Sequence, residues 1–129
     1  MDTIGEFLTR IRNAGLAKHE KVDVPASKLR VGIANVLCDS GYIRNFKVVK
    51  DGKQGIMRVY LQYSDEGVHA ITSIDRASRP GRRLYVQCDG IPNVRSGYGM
   101  AILSTSKGVM SSKTAAEQNV GGELICTIW

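Results

Sequence analysis

Ile4, Phe7, Leu8 and Ile11 recur at intervals of three and four residues, which puts them on one stripe of a helix, and Thr3 and Glu6 stand at capping-box spacing at its start. Arg10, Arg12 and Asn13 fall off that stripe, on a face that either meets solvent or meets a partner. Val22 to Val24 reads as a short extended piece ended by Pro25, and Leu29, Ile33, Val36 and Leu37 mark a second helix that Gly41 stops, with Lys28 and Arg30 early in it. Tyr42 to Val49 and Ile56 to Tyr63 are β-rich runs joined by KDGKQG, whose Asp-Gly and second Gly suit a hairpin turn. The first half therefore predicts α-β-α-β-β.

The pattern changes after SDEG at 64–67, which sets two units: an N-terminal α/β domain over 1–65 and a mostly β domain over 66–129. In the second, Val68 to Ile74 and Leu84 to Val86 predict strands around the turn SRPGRR, and IPNVRS a short helical or loop segment. Met100 to Leu103 predicts a strand that ends in the polar loop STSKG. Residues 111–119 open on a serine N-cap and continue with good helix formers, and after VGG the chain enters a last strand, Glu123 to Trp129. The expected fold class is α+β, a small α-β-α-β-β unit packed on a mostly β unit with one short helix.

At 129 residues and 43% apolar content the chain can bury a modest core unaided. Cys38, Cys88 and Cys126 form no CxxC pair, so buried thiols in a reducing compartment are expected, and no cofactor or metal site. His19 and His69 stand alone, without the carboxylate or cysteine spacing of a ligand or base. No apolar run approaches the roughly 20 residues of a membrane span and no leader pattern opens the chain, so the expectation is a cytoplasmic protein without membrane contact. A net charge of +6 favours a polyanionic partner. That charge is uneven: residues 1–63 carry +5 and residues 64–129 only +1, with the arginines of the second half gathered at Arg76, Arg79, Arg82 and Arg83.

STSKG poses the question of chemistry. Ser104 and Lys107 match S-x-x-K, the spacing by which a lysine activates a serine nucleophile, but ten serines and eight lysines give about 0.6 such matches by chance. The serine ends a strand where that mechanism needs it to open a helix, and no S-D-N or K-T-G partner follows, so a Ser/Lys hydrolase is the remote alternative and no small-molecule substrate is expected. A phosphate-binding loop needs its glycines and lysine in another order. Recognition remains: hydroxyls and backbone amides on a glycine-bounded loop suit ribose hydroxyls, phosphates and base edges, with the arginines supplying attraction.

LTRIRNA at 8–14, VPASK at 24–28, GYI at 41–43, SRPGRRLY at 78–85, GYGMAILSTSKGVM at 97–110 and NVGGELICTIW at 119–129 resemble, in order and over essentially the whole chain, the family of the bacterial small-subunit ribosomal protein number eight. The resemblance implies a two-domain fold, a non-catalytic place in the ribosome, and early binding to the central domain of small-subunit (16S) rRNA. It implies RNA contact by Ser104, Thr105, Ser106 and Lys107, by Gly121, Gly122 and Glu123, and by Tyr85. Arg79, Arg82, Arg83, Arg12, Asn13 and Lys28 join these as candidate RNA-facing residues. It further implies small-subunit protein number five among the neighbours, and in some bacteria repression of the protein's own mRNA, the alternative of a regulatory RNA-binding protein. One departure stands out: where many relatives have a basic helix between STSKG and NVGGE, SSKTAAEQN offers only Lys113.

Overall fold

The computed structural model describes residues 2–50 and 52–129. Helix α1 (Thr3–Leu16) turns Ile4, Phe7, Leu8 and Ile11 into the interior as the spacing predicts. Its N-cap is Asp2, one residue before the expected box: the carboxylate accepts from the Gly5 amide at 3.0 Å and also meets Arg76 at 3.2 Å, while Glu6 pairs with Arg10 on the next turn at 3.2 Å. β1 (Lys21–Pro25), α2 (Lys28–Asp39), β2 (Ile43–Val49) and β3 (Ile56–Leu61) complete the α-β-α-β-β order. The strands form an antiparallel sheet in the order β1-β3-β2. Of the hairpin turn expected between β2 and β3, Asp51 lies outside the described residues. Ser27 caps α2 through the Arg30 amide. Arg30 itself is buried as a clamp, giving hydrogen bonds to the Pro25 carbonyl at 2.7 Å and the Thr3 carbonyl at 2.8 Å, which tie α2 to β1 and to the start of α1.

The second half builds an antiparallel sheet from β4 (Ile74–Arg76), β5 (Tyr85–Val86), β6 (Met100–Thr105), β7 (Gly108–Ser111) and β8 (Gly122–Ile128), in the order β4-β8-β6-β7 with β5 also on β8. α3 (Ser112–Gln118), capped by Ser111, leads from β7 back to β8. Of the strand expected over Val68 to Ile74 only Ile74 lies in one, as the first residue of β4, and His69 makes an isolated bridge to Tyr63. Buried Ile71 and Ile74 are three apart, which a strand cannot place on one face, and the amides of Thr72 and Ser73 donate instead to the Trp129 carbonyl. STSKG is no simple loop either. It is the tip of a β6–β7 hairpin whose second strand is too short to show a period.

The main core runs through both halves: Phe7, Ile11, Ile33, Leu37, Met57 and Val59 pack in one cluster with Ile74, Ile102, Ile125 and Ile128. A smaller cluster of Ala101, Leu103 and Leu124 fills the other side of the second sheet, under Ile91 and Val94.

Candidate nucleic-acid interface

Thr105 and Gly108 face each other across the β6–β7 hairpin, leaving Ser106 and Lys107 at its tip. Gly108 adopts φ +111°, the left-handed position that closes a turn of this kind. The Thr105 hydroxyl locks it, donating to the Gly108 carbonyl at 2.8 Å and accepting from the Lys107 amide at 3.0 Å. Ser106 and Lys107 are exposed, and their side chains make no hydrogen bond or ion pair with the described residues.

The hairpin stands on β8. Ser104 is directly opposite Glu123, Glu123 opposite Tyr85 on the other edge, and Val109 opposite Ser104, so the register lays Tyr85, Glu123, Ser104 and Val109 in one row on one face. Gly121 and Gly122 permit that closeness. A β-carbon on Gly122 would overlap the Ser104 carbonyl, and one on Gly121 would overlap the Val86 carbonyl. These two glycines thus have a packing reason to be where they are, Gly122 against the hairpin strand β6 and Gly121 against the end of β5.

The Glu123 carboxylate is engaged as well. Its Oε2 accepts from the Ser78 hydroxyl at 2.5 Å and from Arg83 at 3.0 Å. Ser78, fully buried, also accepts from the Leu84 amide at 3.1 Å, so it bridges both ends of the excursion 79–84 to β8. At the tip of that excursion the amides of Arg79 and Arg82 donate to each other's carbonyls at 3.1 and 2.9 Å across Pro80 and Gly81. Both arginine side chains are exposed and form no ion pair among the described residues, and Tyr85 is 69% exposed. The arginine turn and the hydroxyl hairpin therefore leave opposite edges of the same stretch of β8.

α2 adds a cation. Its Lys28, Leu29 and Gly32 line a groove with Ser104, Gly108 and Val109, because Gly32 lets the helix approach to the point where a β-carbon would sit 3.0 Å from the Val109 side chain. Arg12 is drawn elsewhere: its guanidinium donates to the Ile74 carbonyl and lies 4.0 Å from Asp75, and it lines a separate groove with Thr9, Arg76 and Arg79. Asn13 is exposed on α1 with no side-chain partner among the described residues. Lys113 is exposed on α3.

Sequence reasoning missed Ser78, Gly32 and Val109. Gly32 left a signal, since glycine inside a helix costs roughly 1 kcal/mol against alanine and marks a close approach. Ser78 left none, since a serine between Ala77 and Arg79 gives no hint of burial.

Among the described residues no group of three or more His, Cys, Asp or Glu could hold a metal ion, and no helix is long and apolar enough to cross a membrane. Small ribosomal subunit protein uS8 of Bdellovibrio bacteriovorus is 68% identical to this chain over 129 residues, the full length of both chains. Its namesakes in Geotalea daltonii and Geobacter sulfurreducens are 58% and 54% identical over 128 residues, which is 99% of this chain and 97% of each relative. The family model described as ribosomal protein S8 matches residues 2–129, and with the hairpin, the paired glycines and the arginine turn all lying inside that match, the chain belongs to the ribosomal protein S8 family.

Proposed function

We propose that the chain binds small-subunit rRNA with the hairpin end of its second sheet, and that this contact seats it early in the central domain of the assembling subunit. As a member of its family it is a structural constituent of the ribosome and not an enzyme. The observation that carries the RNA reading is the contrast inside one turn: Thr105 fixes the backbone with its hydroxyl, while Ser106 and Lys107 stand exposed and unpartnered above it. Donors held in place before binding lose little freedom on binding. A serine hydroxyl gives and accepts at once, which suits a ribose 2′-hydroxyl or a base edge. Lys28, Lys107, Arg79 and Arg82 supply attraction to phosphates, and the exposed Tyr85 ring a flat surface for a base. Gly121, Gly122 and Glu123 work beneath, holding β5, β6 and the arginine turn in register. The resemblance adds small-subunit protein number five as a neighbour and the protein's own mRNA as a second RNA target.

Titration of the purified protein into a central-domain rRNA fragment tests this. Ser106→Ala is expected to weaken binding by about 2- to 13-fold, the loss of one hydrogen bond of roughly 0.5–1.5 kcal/mol. Arg82→Ala should weaken cognate and unrelated RNA alike, because phosphate contacts position without specifying. A folded Ser106→Ala variant that binds as tightly as wild type would refute the reading.

A further inference from the structure

The first sheet has a face that its helices leave bare. Val24, Met57, Val59 and Leu61 are buried on the side packed by α1 and α2. The alternate residues look outward, and the register sets them in rows: Lys21, Tyr60 and Asn45 opposite one another, then Asp23, Arg58 and Lys47. A bulge between Ile43 and Asn45 adds Arg44, and bulges characteristically re-aim a side chain. Here it brings the Arg44 guanidinium to 5.3 Å from the centre of the Tyr60 ring, with the Lys47 ammonium 5.5 Å from the same point. A hydrogen bond from Lys47 holds the Tyr60 phenol below its ordinary range, against slight burial and helped by the charges of Lys47, Arg58 and Lys21.

Two of these four cations have partners. Arg58 makes a forked pair with Asp23 at 2.9 and 3.1 Å, and Arg44 lies 3.5 Å from Glu20. Lys21 and Lys47 form no ion pair among the described residues. Gathering like charges on one open face raises the energy of the free protein, and a polyanion laid across them relieves it. The Tyr60 ring and the Arg44 guanidinium are flat surfaces on which a base can lie, and an acidic peptide would need neither.

We propose that this open sheet face is a second nucleic-acid surface, which takes an unpaired RNA strand by stacking a base at Tyr60 and Arg44 and neutralising its phosphates with Lys21 and Lys47. The proposal takes from the family assignment only the presence of RNA around the protein, and it does not depend on the hairpin.

The test is fluorescence titration of the full chain with a labelled uridine dodecamer at low salt. Tyr60→Ala is expected to weaken binding by about 5- to 140-fold, the range found when a stacking aromatic is truncated. Tyr60→Phe should bind as wild type, since the ring is kept. Lys21→Gln with Lys47→Gln should flatten the log–log salt dependence by about 1.4, at roughly 0.7 per phosphate on a single strand. Wild-type affinity in a Tyr60→Ala variant with unchanged circular dichroism would overturn the proposal, as would binding of a ten-residue polyglutamate peptide with the same dependence on Tyr60. Loss of dodecamer binding in Ser106→Ala in place of Tyr60→Ala would also overturn it, by putting the strand on the hairpin. The hairpin reading stands or falls separately, on Ser106→Ala with the structured rRNA fragment.

Discussion

Removing the Thr105 hydroxyl takes two hydrogen bonds from the hairpin turn, whereas removing that of Ser106 takes none, although the two residues are neighbours. Thr105→Ala is therefore expected to lower unfolding free energy by about 0.5–1.5 kcal/mol per bond lost and to weaken RNA binding through a looser turn. Ser106→Ala should leave the urea midpoint unchanged and affect only binding, so the pair of variants separates shaping the turn from touching the ligand. His69 offers a second residue-scale test. It sits against the backbone of Gly15 with its ring 5.4 Å from that of Tyr63, and its Nε2 is buried without a partner. Burial first, then the nearby Lys18 charge, holds its pKa below the usual value. The unfolded chain takes up a proton near pH 6.5 while the folded chain resists, so this contribution to stability is complete above about pH 6.5 and is lost as pH falls below it. Urea midpoints measured at pH 7.5 and 5.5 should drop more for wild type than for His69→Gln; equal drops would place the linkage elsewhere. Burial pushes the Cys126 thiol up to about 12, so a thiol reagent should label Cys38 and Cys88 in the native protein and reach Cys126 only on unfolding.

Between elements, the decisive contacts are backbone against backbone. Gly122→Ala is expected to cost about 1–3 kcal/mol, the usual penalty for overfilling a packed site, because its new methyl would press on the Ser104 carbonyl and pry β6 from β8. Thermal melts of the variant, read beside its rRNA affinity, check whether both fall together. How far such contacts were legible varied with their range along the chain. The stripes of Ile4, Phe7, Leu8 and Ile11 and of Ile33, Val36 and Leu37 repeat often enough to define α1 and α2 before any fold is known. β7 has four residues, of which only Met110 is buried, so no period announces it. That Lys28 borders the hairpin depends on a helix some eighty residues earlier fitting onto Val109, and nothing local to either segment states it. The motif STSKG located the candidate surface and the arginines after Pro80 offered Glu123 a partner, which is Arg83, but the division of labour between Thr105 and Ser106 and the hold of buried Ser78 on Glu123 required the register.

Taken whole, the molecule has its charge and its apolar surface distributed on different plans. Most of the net charge belongs to residues 1–63, yet the main core is shared, with Ile74, Ile102, Ile125 and Ile128 completing the cluster begun by Phe7 and Ile11. A fragment of residues 1–65 is accordingly expected to lose sharp, cooperative unfolding, and the full chain to melt in one transition; two resolved calorimetric peaks would show that the halves hold themselves independently. The shared core also has a consequence in time. β8 follows in chain order every strand it pairs with, and β4, β5 and β6 have their principal partner in it. During synthesis from the N-terminus, the hydroxyl turn, the arginine turn and the tyrosine between them exist as sequence well before they exist as a surface. Until residues 122–128 are made the two turns have no common strand to stand on, so an unfinished chain lacks the hairpin-end surface as a whole, whereas the first sheet has all its strands by Leu61.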